Sequence, residues 1–336
     1  MRTTFTTMLV LLLFGISGCA TGGKKAPTQE IDPFPESRFL TAEGTGETEL
    51  EARREALAAL SGIFESKVHA ETTSRASSAI GTGGDEVFEK QVVSSVAVVS
   101  TVQLTGAKIG RVWRVEAGTA PYHALAVLDR NQAGRKWAAE MDTVQALVTA
   151  ELKTLEQTSG RVQRLAALNK VLAGLLREQA LESRLRVLNY PARATLDADM
   201  EKIATELIEL RSQIRLFIEL SGDGHEAAAA RIADTLTANG FLLSAEPDRA
   251  DALIHGKIKT RPLELNNPRA YFVRAMAMVE VIENDTGATL ANLNAEIRKG
   301  HVDPNEARRN AVHKVADAIA ERLTAVIGFK VPADMQ

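Results

Sequence analysis

The chain of 336 residues holds a single cysteine, Cys19, so no intramolecular disulfide can form. Aromatic residues make up only 4% of it, which leaves few flat platforms for stacking sugars or bases. The core must therefore rest on Leu, Val, Ile and Ala. The six histidines, His69, His123, His225, His255, His301 and His313, are scattered. None forms an HxH, HExxH or CxxC-type pair, so a metal site has no local signature. An excess of charge is missing too. With 40 Lys and Arg against 43 Asp and Glu, the net charge of −3 gives no basic field for nucleic acid and no acidic tail.

Signatures of catalysis are equally scarce. No Gly-x-Ser-x-Gly elbow occurs, and a lone cysteine destined for another use removes cysteine nucleophile chemistry. Gly44-Thr45-Gly46 precedes a helix, where backbone N–H groups could hold an anion. It lacks the third glycine of a dinucleotide fingerprint and the Lys-Ser/Thr of a P-loop, so it reads as a turn and helix cap. Gly222-Asp223-Gly224-His225-Glu226 reads the same way. A glycosidase needs two placed acids in a cleft, usually beside aromatic platforms that are in short supply here. No catalytic residue is assigned, and no cofactor or metal is implied.

What the chain does have begins at its N-terminus. Arg2 supplies a minimal positive region, and residues 8–16 form a short apolar run. About 20 apolar residues are needed to cross a bilayer as a helix, so this run is read as a signal peptide over residues 1–18. It ends in Ile16-Ser17-Gly18-Cys19, which resembles the lipobox of bacterial lipoproteins. That resemblance implies cleavage before Cys19, acylation of its sulfur, and anchoring to a membrane through lipid. A diacylglyceryl group plus an N-acyl chain meets the two-chain requirement for stable anchoring. Ala20 after the cysteine implies sorting to the periplasmic face of the outer membrane by the enteric rule, with the inner membrane as the other address. Residues 19–35, with Gly22-Gly23-Lys24-Lys25 and Pro27, Pro33 and Pro35, read as a flexible tether.

The mature chain reads as α+β: two small sheet-and-helix domains joined by a long helical hairpin segment. The first spans 36–130. A strand from Arg38 to Gly44 precedes Thr48-x-x-Glu51, a capping box, and Leu50, Leu57, Leu60, Phe64 and Val68 predict one apolar helical stripe. After the break at Gly81-Thr82-Gly83-Gly84, residues 102–115 and 122–128 predict strands. The segment 131–212 is helical, with a turn at Ser159-Gly160 and a stop at Pro191. Its apolar stripe is expected to pack on a neighbouring domain.

The second α+β domain spans 213–330. It opens on the alternating Ile214, Leu216, Ile218 and Leu220, followed by a helix from Glu226 capped at Asn239-Gly240. Strands follow at 252–260, 270–282 and 289–298, then a helix over 305–325. The two domains echo one another. In each, a glycine and polar residues precede a helix with small inward residues, at Glu51-Ala52-Arg53-Arg54-Glu55-Ala56 and Glu306-Ala307-Arg308-Arg309-Asn310-Ala311. The charged residues of both runs are expected on solvated helix faces.

Ala42-Glu43-Gly44, the helix of Glu51, Ala52, Ala56, Leu60, Ile63 and Phe64, and the Trp113 and Tyr122–Ala126 strands resemble the membrane-associated Lpp-twenty lipoprotein family. Ala250-Asp251-Ala252-Leu253-Ile254-His255-Gly256, with Val281-Ile282-Glu283-Asn284-Asp285-Thr286-Gly287, is similar to the TolB amino-terminal and penicillin-binding-protein-activator type. The first resemblance implies an envelope lipoprotein with no established reaction, and the second implies a protein that acts through protein contacts. Two further readings stand beside this one: an accessory factor for outer-membrane secretion, flagellar assembly or peptidoglycan synthesis, and an envelope hydrolase.

Overall fold

The computed structural model describes residues 33–79, 86–100, 104, 106–114, 121–264 and 270–328. The architecture is α+β. The first sheet takes β1 (Phe39–Gly46), β2 (Lys108–Arg114) and β3 (Tyr122–Asp129) in the order β1-β3-β2, all antiparallel. Between β1 and β2 run α1 (Glu49–Ala79) and α2 (Glu86–Ser100).

Helix α1 starts where the capping box placed it. The Thr48 N–H donates to Glu51 Oε2 at 3.1 Å, and the Glu51 N–H donates to Thr48 Oγ1 at 3.2 Å. Its inward stripe differs from the expected one. Ala52, Ala56, Leu60, Phe64 and Val68 are fully buried, whereas Leu50 is 57% exposed and Leu57 is only partly buried. The cause lies in β1. A Cβ added to Gly44 would lie 2.1 Å from the Ala56 nitrogen, and one on Gly46 would lie 2.6 Å from the Ala52 nitrogen. The helix backbone thus rests on the strand at a distance that only glycine against alanine permits. This contact turns the two alanines inward and leaves Leu50 on the solvent side.

Helix α2 lies where the sequence expectations place no element. Its inner row is Phe88, Val92, Val96 and Val99, all buried. The strand expected over 102–115 is formed at Lys108–Arg114, after a turn at Gly106 with φ +101°. The ends of the expected span, and the glycine-rich break at 81–84, lie outside the described residues.

Strand β3 runs directly into α3 (Arg130–Gln157). Asp129 caps it, accepting from the N–H groups of Asn131 and Gln132 at 3.0 Å each. The Gln132 N–H, followed by the Arg38 guanidinium, holds the Asp129 carboxyl below the usual carboxylate range. Helix α4 (Arg161–Val187) returns antiparallel to α3, and α5 (Met200–Gln213) follows an extended stretch containing Pro191. Helix α4 is buried on nearly all sides because α1, α2, α3, α5 and α7 (Pro304–Ile327) all pack against it.

The second sheet contains β4 (Arg215–Gly222), β5 (Leu242–Leu243), β6 (Ala252–Leu263), β7 (Tyr271–Glu283) and β8 (Thr289–His301), in the order β5-β4-β6-β7-β8. Strand β4 is parallel to β5 and β6, while β6, β7 and β8 form an antiparallel meander. Helix α6 (His225–Ala238) ends at Asn239 with Gly240 at φ +86°, as the sequence predicts. Helices α6 and α7 cover one face, burying Val273, Ala275, Ala277, Val279 and Val281 of β7. Ala307, Ala311, Ala316 and Ala320 of α7 are buried on that face, repeating the small-residue packing of α1.

A methyl group reads out this packing. Gly44→Ala drives a Cβ into helix backbone that no side-chain rotation can relieve, and unfolding should become easier by about 1–3 kcal/mol. Gly62→Ala, on the exposed side of α1 with nothing within 4 Å, should instead stabilise by about 0.5–1 kcal/mol. Urea unfolding of both variants checks the sign of each change.

Candidate functional site

The polar residues that the sequence placed in two separate motifs converge where the helical hairpin meets the second sheet. Helix α4 begins at Gly160, which has no side chain to cap it. The cap comes instead from the end of β7. Glu283, 1% exposed, accepts the Val162 N–H at 2.8 Å and the Gln163 N–H at 3.1 Å through Oε1. Its Oε2 accepts the Thr286 hydroxyl at 2.9 Å. A Cβ on residue 160 would stand 2.0 Å from Glu283 Oε2, so glycine is what lets the carboxylate enter.

Neighbouring residues close the joint. Asp251 accepts the Arg161 guanidinium at 2.7 Å through one oxygen and the Arg215 N–H at 2.7 Å through the other. The Asn284 side chain donates to the carbonyls of Pro247 and Ala250, and its N–H donates to the Asp251 carbonyl. The segment around Asp251, the β7–β8 turn and the first turn of α4 are thereby one hydrogen-bonded unit.

Magnitudes rank these contacts. Removing two charges from water costs several kcal/mol, and exposed ion pairs contribute at most about 1 kcal/mol. Arg161 is partly exposed and Asp251 less so, which places their pair near the weak end. Glu283 is different. Hydrogen bonds to a charged group are worth about 1.5–3 kcal/mol each, and the helix N-terminus adds a favourable dipole.

Beside the joint lies a cleft of about 480 Å³ between the hairpin, the start of β8 and the end of α7. Thr154, Thr158, Gln163, Asn169 and Leu290 line it, with the Lys170–Glu151 ion pair at 3.2 Å. Asn169 is 6% exposed; its amide donates to the Ile327 carbonyl at 3.2 Å, and its Oδ1 has no protein partner.

Other buried charges also join elements. Glu178 accepts from Gln145 of α3 and from the Leu196 N–H of the extended stretch. Arg211 of α5 donates to Gln91 of α2, which in turn donates to Asn239 at the end of α6. Arg184 of α4 donates to the Val99 carbonyl of α2, and burial pushes its guanidinium below its ordinary pKa.

Of the residues singled out in the sequence, Cys19, Ile16, Ser17 and Gly18 lie outside the described residues. Gly44 and Gly46 serve packing. Asp223 bonds to the N–H and hydroxyl of Thr260, and these donors hold its carboxyl below the usual range. The histidines remain apart: His123 stacks on Trp113, His225 bonds to the Gly222 carbonyl, His255 pairs with Glu219, and His301 accepts the Asp303 N–H. Among the described residues, no group of three or more His, Cys, Asp or Glu is placed to hold a metal ion. The charged residues of the two echoed runs lie on solvated faces, where Arg53 pairs with Glu49 and Arg309 with Glu306.

The sequence motifs contain Asp251 and Glu283, but nothing in them announces a cap for a helix more than a hundred residues upstream. Glu283→Ala strips two helix N–H groups of their acceptor in a dry site and should cost about 2–3 kcal/mol of stability. Arg161→Ala should cost less than about 1 kcal/mol. Urea midpoints of the two variants, compared with the parent, check this order; equal losses would contradict it.

Comparison with known proteins adds the following. Residues 245–324 match the family model described as the C-terminal domain of TP0693-like lipoproteins. The match supports a lipoprotein-type unit at the C-terminus and does not carry the Lpp-twenty or TolB-type names. No curated protein matches the chain. Similar solved structures include a minor lipoprotein of Acinetobacter baumannii, at 19% identity and TM-score 0.28 over 34% of this chain and 91% of that one. The secreted protein HP1454 of Helicobacter pylori is 11% identical with TM-score 0.38, over 87% of this chain and 99% of that one. The lipoprotein GNA1162 of Neisseria meningitidis is 12% identical with TM-score 0.24, over 33% of this chain and 99% of that one. Scores this low do not establish a shared fold.

Proposed function

We propose that the protein is a lipid-anchored envelope lipoprotein that works without catalysis, as a structural or assembly component that binds another envelope protein. The observation that carries the reading is Ile16-Ser17-Gly18-Cys19 at the end of a short apolar run, with Cys19 the only cysteine. The match of residues 245–324 to a lipoprotein family model supports it. Among the described residues, no helix is long and apolar enough to cross a membrane, so lipid on Cys19 is the proposed attachment. The proposed address is the periplasmic face of the outer membrane.

The buried charges fit a contact protein. Glu178, Arg211 and Glu283 are engaged in joining helices, strands and turns. They stiffen a scaffold on which an exposed surface can be presented.

Intact mass of the membrane-extracted chain tests the anchor, and crosslinking in envelopes tests the contact. The expected mass reflects loss of residues 1–18 and gain of acyl chains, abolished in Cys19→Ala. The expected crosslinks recover one reproducible envelope protein. An unmodified full-length chain contradicts the anchor, and the absence of any reproducible partner contradicts the contact role.

A further inference from the structure

The five-stranded sheet has a second face, away from α6 and α7. Strand register places Lys257, Lys259 and Arg261 of β6 beside Met278, Met276 and Arg274 of β7, which in turn lie beside Asn294, Glu296 and Arg298 of β8. Lys257, Lys259 and Arg261 are exposed, and Met278 is 52% exposed. The face therefore carries a row of cations, a ridge of two methionines and a polar row, side by side.

The charges are not balanced locally. The acids of this face are engaged: Glu219 pairs with His255 at 2.9 Å, Glu296 pairs with Arg274 at 3.2 Å, and Glu280 accepts the Thr289 hydroxyl. Arg298 lies over the Phe272 ring at 4.8 Å. Lys257, Lys259 and Arg261 make no ion pair with any described residue. Three like charges at alternate positions of one strand, over about 13 Å, form a positive row that an anionic surface would complement.

We propose that this open sheet face docks an acidic amphipathic helix of a partner protein. The apolar side of that helix lies on Met276 and Met278, and its acidic flank meets Lys257, Lys259 and Arg261. Dimensions select a helix. Neighbouring strands are about 4.8 Å apart, so the step from β6 to β8 spans about 10 Å, the width of one helix with its side chains. Helices already fill this role on the opposite face, and unbranched methionines adapt to the side chains that meet them. The inference rests on the contact-protein reading and names the partner's chemistry.

The test uses the full chain and a labelled model peptide of about five turns, with leucine on one face and glutamate on the other. Saturable binding is expected, and it should weaken as salt rises. Binding should fall at least about tenfold in the Lys257→Glu, Lys259→Glu, Arg261→Glu triple variant. A smaller loss is expected in Met278→Asp, with circular dichroism unchanged in both. If the triple variant misfolds, the single Lys259→Glu and Arg261→Glu variants give the same reading. Absence of binding, equal binding to a lysine-for-glutamate peptide, or full binding by the variants overturns the proposal. So does variant-sensitive binding to phosphatidylglycerol vesicles without peptide binding, which would assign the face to an anionic lipid surface. Any of these results, with envelope crosslinks retained, leaves the contact-protein reading standing and removes this face from it.

Discussion

Where the helical hairpin turns back at Gly160, the carboxylate of Glu283 enters from the far end of β7 and satisfies the first turn of α4. Helix α4 packs on α1, α2, α3, α5 and α7, so its position sets much of the molecule. A buried carboxylate is a liability unless every lone pair facing the interior finds a donor. Here two backbone N–H groups and a hydroxyl supply them, and the helix dipole favours the charge. Two unmet needs, an uncapped helix and a buried anion, cancel one another across the two parts of the chain. Among the described residues, one hydrophobic cluster runs from Ala42 to Ile327 and includes Val162 and Val281 beside this joint.

A second constraint acts within each sheet-and-helix unit. Gly44 and Gly46 bring α1 onto β1 at backbone distance, and the alanines of α7 do similar work over β7 and β8. With few aromatic residues available, close approach replaces bulk as the means of filling space. The bulky exceptions are placed centrally: Phe64 stacks on Trp137 at 5.1 Å, tying α1 to α3. Covering one face of the larger sheet in this way leaves Lys257, Lys259, Arg261 and Met278 exposed on the other.

Much of this was legible in the sequence, for local reasons. The Thr48–Glu51 box, the Asn239-Gly240 stop, the Ser159-Gly160 turn and the alternating strands each depend on residues within a few positions of one another. Failures came where distant contacts decide. The six valines in residues 86–100 resemble a strand by propensity, yet Phe88, Val92 and Val96 recur at four-residue spacing and bury against the rest of the core. Leu50 and Leu57 fit an apolar stripe by spacing, but the glycines of β1 turn α1 toward its alanines instead. Glu283 carries no cap signal of its own in the sequence, because the helix start it serves lies far away along the chain. The lipobox residues 16–19 are the reverse case, readable as a motif and outside the described structure.

The joint at Glu283 is what fixes the relation between the helical hairpin and the second sheet. In a Cys19→Ser background, spin labels at Ala146 on exposed α3 and Asn294 on exposed β8 measure that relation across the joint by double electron–electron resonance. The account predicts one narrow distance distribution in the parent and a broad one after Glu283→Ala. A broad distribution in the parent, or a narrow one untouched by the substitution, would contradict the claim that this carboxylate locks the hairpin to the sheet.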